Sequence, residues 1–216
     1  MNIKWSGIIL AFLLLGGTSQ SGIAATSFPY VDVTNQYAWA KKAIQLLSGD
    51  GVISGFEHDR FKPGLPVTRG EYLIDFWKLV SPKKKPVANL QVFSDVRPNN
   101  PNFNYVGAAY DSGWIHDAWL YVSPGYAFHA NYHVSFSDAS SILVAYLLQQ
   151  STTFSTLGEA PLFWTKAHGF FYGIPDISTS LYMNRADVAV FLANVKTYLN
   201  ITYSSTVTQT VYGGKG

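Results

Sequence analysis

The 216-residue chain has no cysteine, and only 13% of its residues are charged. Without cysteine there is no disulfide framework, so the fold must rely on its hydrophobic core. That suits a bacterial envelope protein better than a small, disulfide-rich secreted scaffold. An excess of either charge is missing too. Fifteen Lys and Arg stand against thirteen Asp and Glu, which gives no electrostatic case for nucleic acid or anionic lipid as a partner. Catalytic signatures are absent: no Gly-x-Ser-x-Gly elbow, no His-Glu-x-x-His, no phosphate-binding glycine-rich loop. The five histidines are scattered at 58, 116, 129, 133 and 168. His129 and His133 are four apart in a predicted loop with no close acidic partner. The chain is therefore expected to be no enzyme, with neither metal nor cofactor. A long hydrophobic run is missing as well. The apolar run at 8–15 is too short to span a bilayer, follows Lys4 and precedes the small pair Ala24-Ala25. It reads as a secretory signal peptide cleaved near Ala25, leaving an exported protein with no membrane span.

Aromatics are plentiful, with 14 Tyr, 14 Phe and 6 Trp. Most are core filler, although an aromatic-rich surface also suits sugar stacking. The strongest local signal is Val67-Thr68-Arg69-Gly70-Glu71. Thr68 with Glu71 three residues on is a capping box that opens a helix. Leu73, Phe76, Trp77 and Val80 give that helix one apolar face, and Pro82 stops it. Arg69 is the odd residue. It occupies the first helical position, where free N–H groups and the helix dipole already present positive charge. The pattern returns at Met183-Asn184-Arg185-Ala186-Asp187, with Asn184 and Asp187 as caps. It returns in degraded form at Val134-Ser135-Phe136-Ser137-Asp138, with Ser135 and Asp138 as caps.

The spacing predicts three repeated segments, at 28–80, 90–148 and 156–199, with a tail at 201–216. Tyr30-Val31-Asp32-Val33 is answered by Phe93-Ser94-Asp95-Val96. Gly51-Val52-Ile53 is answered by Gly113-Trp114-Ile115, and Gly51 and Gly55 by Gly169 and Gly173. Helices are expected over 37–48, with Asn35 or Thr34 as cap, over 68–80, over 137–148 and after Asn184. Residues 81–89, with Lys83-Lys84-Lys85, read as an exposed linker. The tail alternates weakly at Ile201, Tyr203 and Val207, as one edge strand or a disordered end would.

Tyr30-x-Asp32-Val33, Trp39-Ala40, Ala43-Ile44, Gly51-Val52-Ile53-x-Gly55, Phe61-x-Pro63 and Val67-Thr68-Arg69-Gly70-Glu71 resemble an S-layer homology repeat. The second and third segments resemble it at fewer elements. The resemblance implies a mostly α fold of three helix-loop-helix repeats, a pseudo-threefold, three-pronged spindle around a central three-helix bundle. It implies grooves between prongs that bind secondary cell-wall polysaccharide, often through an acidic, pyruvylated sugar. The family's arginine in this motif contacts that sugar, a role that falls here on Arg69 and Arg185. Phe136 cannot inherit it.

The residues agree with the ligand on their own terms. A helix N-terminus attracts anions, and an arginine adds a planar, bidentate carboxylate donor. The ligand-binding candidates are thus Arg69, Arg185, Asp32, Asp95, Trp39, Gly55 and Gly173, with Thr68, Glu71, Ser135, Asp138, Asn184 and Asp187 as helix caps. Each has a plainer reading. Arg69 can form a surface ion pair with Glu71 or Asp75. Asp32 and Asp95 can hold backbone N–H groups, and Trp39 and Trp114 can be core. The expected function is non-catalytic attachment of an exported protein to the cell surface or wall, with other surface proteins as further partners. The alternative is a structural or protein-interaction protein whose eroded repeats no longer bind glycan. On the ligand reading, Arg69→Ala is expected to weaken glycan binding and leave the melting temperature unchanged or slightly raised.

Overall fold

The computed structural model describes residues 28–115, 126–151, 155–156, 158–177 and 180–212, with side chains described only as far as residue 200. The expected signal peptide and its cleavage point lie outside the described residues, as does His116. A 3-10 helix, Asn35–Ala40, leads into α1 (Lys41–Gly49), followed by α2 (Arg69–Val80), α3 (Phe103–Asp111), α4 (Phe136–Gln150), α5 (Pro161–Ala167) and α6 (Arg185–Tyr212). Among the described residues β-pairing is confined to isolated bridges, so the fold is mostly α.

Two elements differ from expectation. The helix expected over 37–48 is split, because Thr34 makes no side-chain cap and Tyr37 leaves helical geometry at φ −114°, ψ 19°. With no cap to satisfy the first N–H groups, the chain enters as a tighter 3-10 turn before α1. The tail is neither strand nor disordered as far as Tyr212, since α6 runs through it. Nothing between Asn200 and Gly213 breaks a helix: no Gly and no Pro stand there. Three weakly alternating residues were too few to outweigh propagation of a helix already nucleated.

The packing order is interlocked. α1 packs on α6, α3 on α2 and α5 on α4. The first helix of each segment therefore rests on the second helix of another. α2 also packs on α6. At that crossing Tyr72 is fully buried, with its ring 6.4 Å from Phe191 and its hydroxyl donating to the Ala139 carbonyl of α4 at 3.1 Å. Phe76 meets Tyr146 edge-on, and Trp114 lies 4.8 Å from Trp77. Trp114 is 4% exposed, a core residue.

Just ahead of α2, α4 and α6, three strand-like residues close a ring. The Val67 N–H donates to the Met183 carbonyl at 3.1 Å, Met183 to Val134 at 2.9 Å, and Val134 back to Val67 at 2.9 Å. All three residues are buried. Buried N–H and C=O groups need partners, and here each segment supplies those of the next. The ring brings the three helix starts to one place.

Candidate functional site

Each of the three helix starts is capped reciprocally. Thr68 Oγ1 accepts from the Glu71 N–H at 3.2 Å, and the Glu71 carboxylate accepts from the Thr68 N–H at 2.8 Å. Ser135 and Asp138 do the same at 3.0 Å both ways, as do Asn184 and Asp187 at 2.9 Å both ways. The next free donors are taken by carbonyls from another segment. Arg69 and Gly70 donate to Tyr132 and Ala130 at 2.8 and 2.9 Å, and Arg185 and Ala186 to Leu65 and Pro63 at 3.0 Å each. The starts of α2 and α6 thus have no N–H group left for a ligand. The expectation of an anion held by helix N–H groups is corrected: neighbouring loops occupy them, which no local pattern reveals.

The two aspartates organise those same loops. The Asp32 carboxylate accepts from the N–H groups of Phe61 and Lys62 at 2.7 and 2.8 Å. Asp95 accepts from Phe128 and His129 at 2.7 Å each, and from Ala130 at 3.4 Å. Lys62 and His129 have positive φ, 55° and 57°, a backbone conformation that costs about 1–3 kcal/mol outside glycine. Each aspartate holds a turn that would otherwise relax. Their oxygens face loop backbone roughly thirty residues away, a longer-range version of the plainer reading.

The arginines diverge. Arg69 is 7% exposed. Its guanidinium stacks 4.9 Å from the Phe128 ring, within the fields of Asp138 and Asp95. Burial lowers its pKa, and the two carboxylates oppose that shift. The surface ion pair with Glu71 or Asp75 is not formed. Arg185 is half-buried and reaches into an open cleft of about 200 Å³ lined by Ser54, Gly55, Phe56, Glu71, Ile74 and Asp75. Its Nε donates to the Phe61 carbonyl at 2.8 Å and its Nη2 to the Ser54 carbonyl. The guanidinium plane rests 4.4 Å from Phe61 and 4.8 Å from Phe56. Two backbone carbonyls and two rings thus fix its orientation before any ligand arrives. Nearby carboxylates, Asp75 first, work against the lowering of its pKa by burial.

The third start carries no arginine. Phe136, 5% exposed, packs edge-on to Phe171 at 5.4 Å. The adjoining hollow, about 380 Å³, has Leu162, Phe163, Ile177 and Leu181 in a mainly apolar wall, with Lys166 beside them.

Residues 29–73 match the S-layer homology domain model. Those residues carry the pattern of an S-layer homology domain. Such a domain is a non-catalytic anchoring module that associates non-covalently with the cell surface. Over 103 residues the chain is 32% identical to "Exoglucanase XynX" of Acetivibrio thermocellus and 31% identical to "Endo-1,4-beta-xylanase A" of Thermoanaerobacterium saccharolyticum. The match covers 48% of this chain but 9% and 8% of those proteins, so the chain spans less than a tenth of either.

The remaining candidates fall around this S-layer homology segment. Gly55 lines the Arg185 cleft, and a Cβ there would lie 2.2 Å from the Tyr30 ring and 2.8 Å from the Arg60 carbonyl. Gly173 serves a different end: its φ of +87° demands glycine. Trp39 is half-buried on the 3-10 helix, 6.3 Å from Tyr37, with Nε1 on the Gln36 carbonyl at 3.1 Å. It does not line the Arg185 cleft. Among the described residues no cluster of His, Asp or Glu is placed to hold a metal, and no helix is long and apolar enough to cross a membrane. Sequence reasoning missed Ser54, Phe56 and Asp75 as cleft residues. The only available signal was the register after each cap, where Asp75 replaces an apolar residue.

Proposed function

We propose that this protein is an exported, non-catalytic module that attaches to the bacterial cell surface by binding secondary cell-wall polysaccharide, with the Arg185 cleft as its working groove. The carrying observation is a pre-oriented guanidinium in an open, aromatic-walled cleft built on the S-layer homology segment. A guanidinium held on one edge by carbonyls still presents N–H donors on the other, which suits the carboxylate of an acidic sugar such as a pyruvate ketal. Phe56 offers a ring face beside it. The two relatives are named as enzymes, but their overlap with this chain is too short to carry an activity over.

A second reading, a surface protein that no longer binds glycan, is favoured by the other two starts: Arg69 is buried and Phe136 has replaced the cation. The experiment that separates them is a pull-down on purified cell walls before and after chemical removal of their polysaccharide. Retention that disappears with the glycan is the expected result. Retention that survives its removal contradicts the proposal.

A further inference from the structure

The seventh residue after each helix cap occupies the same register in α2, α4 and α6. In α4 and α6 it is Ile142 and Phe191, both fully buried. In α2 it is Asp75, whose side chain is 18% exposed. A carboxylate at a core register is a departure, since burying a charge costs several kcal/mol unless it is paired. Asp75 is poorly paired. Lys78, three residues on, is 3.9 Å away. The charged groups facing it are Glu71 and Lys78 on its own helix and Arg185 on α6, and the Ser54–Phe56 side of the cleft carries no titratable side chain. Burial raises the Asp75 carboxyl to about 7, more than Lys78 and Arg185 lower it, and Glu71 pushes the same way as burial. The Arg185 cleft thus places a carboxyl raised to about 7 in the same lining as a half-buried guanidinium.

We propose that Asp75 sets the charge selectivity of the Arg185 cleft: protonated, it leaves the guanidinium free to take an anionic sugar substituent and offers an O–H donor beside it, and ionised it repels that substituent. This rests on the glycan-binding reading above and adds a regulation to it. The consequence is a groove that holds an acidic glycan in mildly acidic surroundings and loosens as the pH rises past neutrality. Binding of the anion at alkaline pH must then take up a proton, because the bound state requires Asp75 protonated.

The test uses the full chain after export and two probes, a methyl hexoside carrying a pyruvate ketal and the same hexoside without it. The ketal carboxylate is ionised throughout the range used, so only the protein titrates. By calorimetry the wild type should bind the ketal about tenfold more tightly at about pH 5.5 than at about pH 8, with uptake of about one proton at the higher pH. Asp75→Asn should bind it equally at both, and Arg185→Ala weakly at both. Equal affinity of the wild type at the two pH values, no proton uptake, or a pH effect that persists in Asp75→Asn would each overturn the role of Asp75. Tight but pH-independent binding of the ketal leaves the anchoring proposal standing and removes only this inference. If neither hexoside binds any variant, both fall together.

Discussion

Arg69 and Arg185 occupy the same position of the same motif, one residue after a capping residue, yet one is buried and the other reaches into an open cleft. Both helix starts are capped in the same way, and both give their first N–H groups to carbonyls of a neighbouring loop. What differs is the loop. Around Arg69 the turn held by Asp95 brings Phe128 over the guanidinium and closes it in. Around Arg185 the turn held by Asp32 leaves a gap between Ser54–Phe56 and α2, and the cleft opens there. A motif therefore specifies a helix start and an oriented cation. Whether that cation is structural or available is decided by a segment elsewhere in the chain.

The largest effect that would sharpen this comparison comes from cutting it apart. In residues 26–80 alone, α1 loses α6 and α2 loses both α3 and α6, and Val67 loses its ring partners. That fragment should show no cooperative melting transition by circular dichroism, since interlocked segments bury too little surface singly. Next in size is Arg69→Ala. Removing one member of a buried charge group commonly costs about 3–5 kcal/mol, whereas Arg185→Ala gives up two hydrogen bonds at a half-buried site, about 1–2 kcal/mol. Denaturant titration of the two variants side by side checks the ranking. This reverses the sequence-based expectation that Arg69→Ala leaves the melting temperature unchanged or slightly raised.

Asp75→Asn comes third and has a pH signature. A carboxyl at about 7 in the folded protein, against 3.8 ordinarily, means that the folded state binds this proton more tightly than the unfolded state. Its contribution therefore favours folding below the ordinary value and is lost as pH rises through 7. Asp75→Asn should match the wild type in melting near pH 4 and exceed it by about 2–4 kcal/mol near pH 8. The smallest effect is Thr68→Ala, about 1 kcal/mol for the lost cap, with wall binding unaltered at temperatures where the protein is folded.

What the sequence made legible was local. Capping boxes are chemistry between residues three apart, so Thr68–Glu71, Ser135–Asp138 and Asn184–Asp187 could be read without any tertiary information. The apolar faces of α2 and α6 followed from helical spacing in the same way. The exchange of helices between segments was invisible, because α1 carries no mark that names α6 as its support. The occupation of the α2 and α6 N–H groups by Ala130, Tyr132, Pro63 and Leu65 was hidden for the same reason. Asp32 and Asp95 were recognised as a recurring feature, but their partners lie about thirty residues on, beyond any pattern read along one helix. The helical tail was missed because absence of a breaker is a weaker signal than a short alternation.

On the proposal above, Arg69 is structural and Arg185 faces ligand. This contrast is tested most directly by the wall-glycan affinity of folded Arg69→Ala and Arg185→Ala, measured well below both melting temperatures. Arg185→Ala should lose on the order of ten- to a hundredfold in affinity, the worth of a hydrogen bond to a charged group, while Arg69→Ala should bind like the wild type. Loss of binding in Arg69→Ala together with full binding in Arg185→Ala would contradict the account.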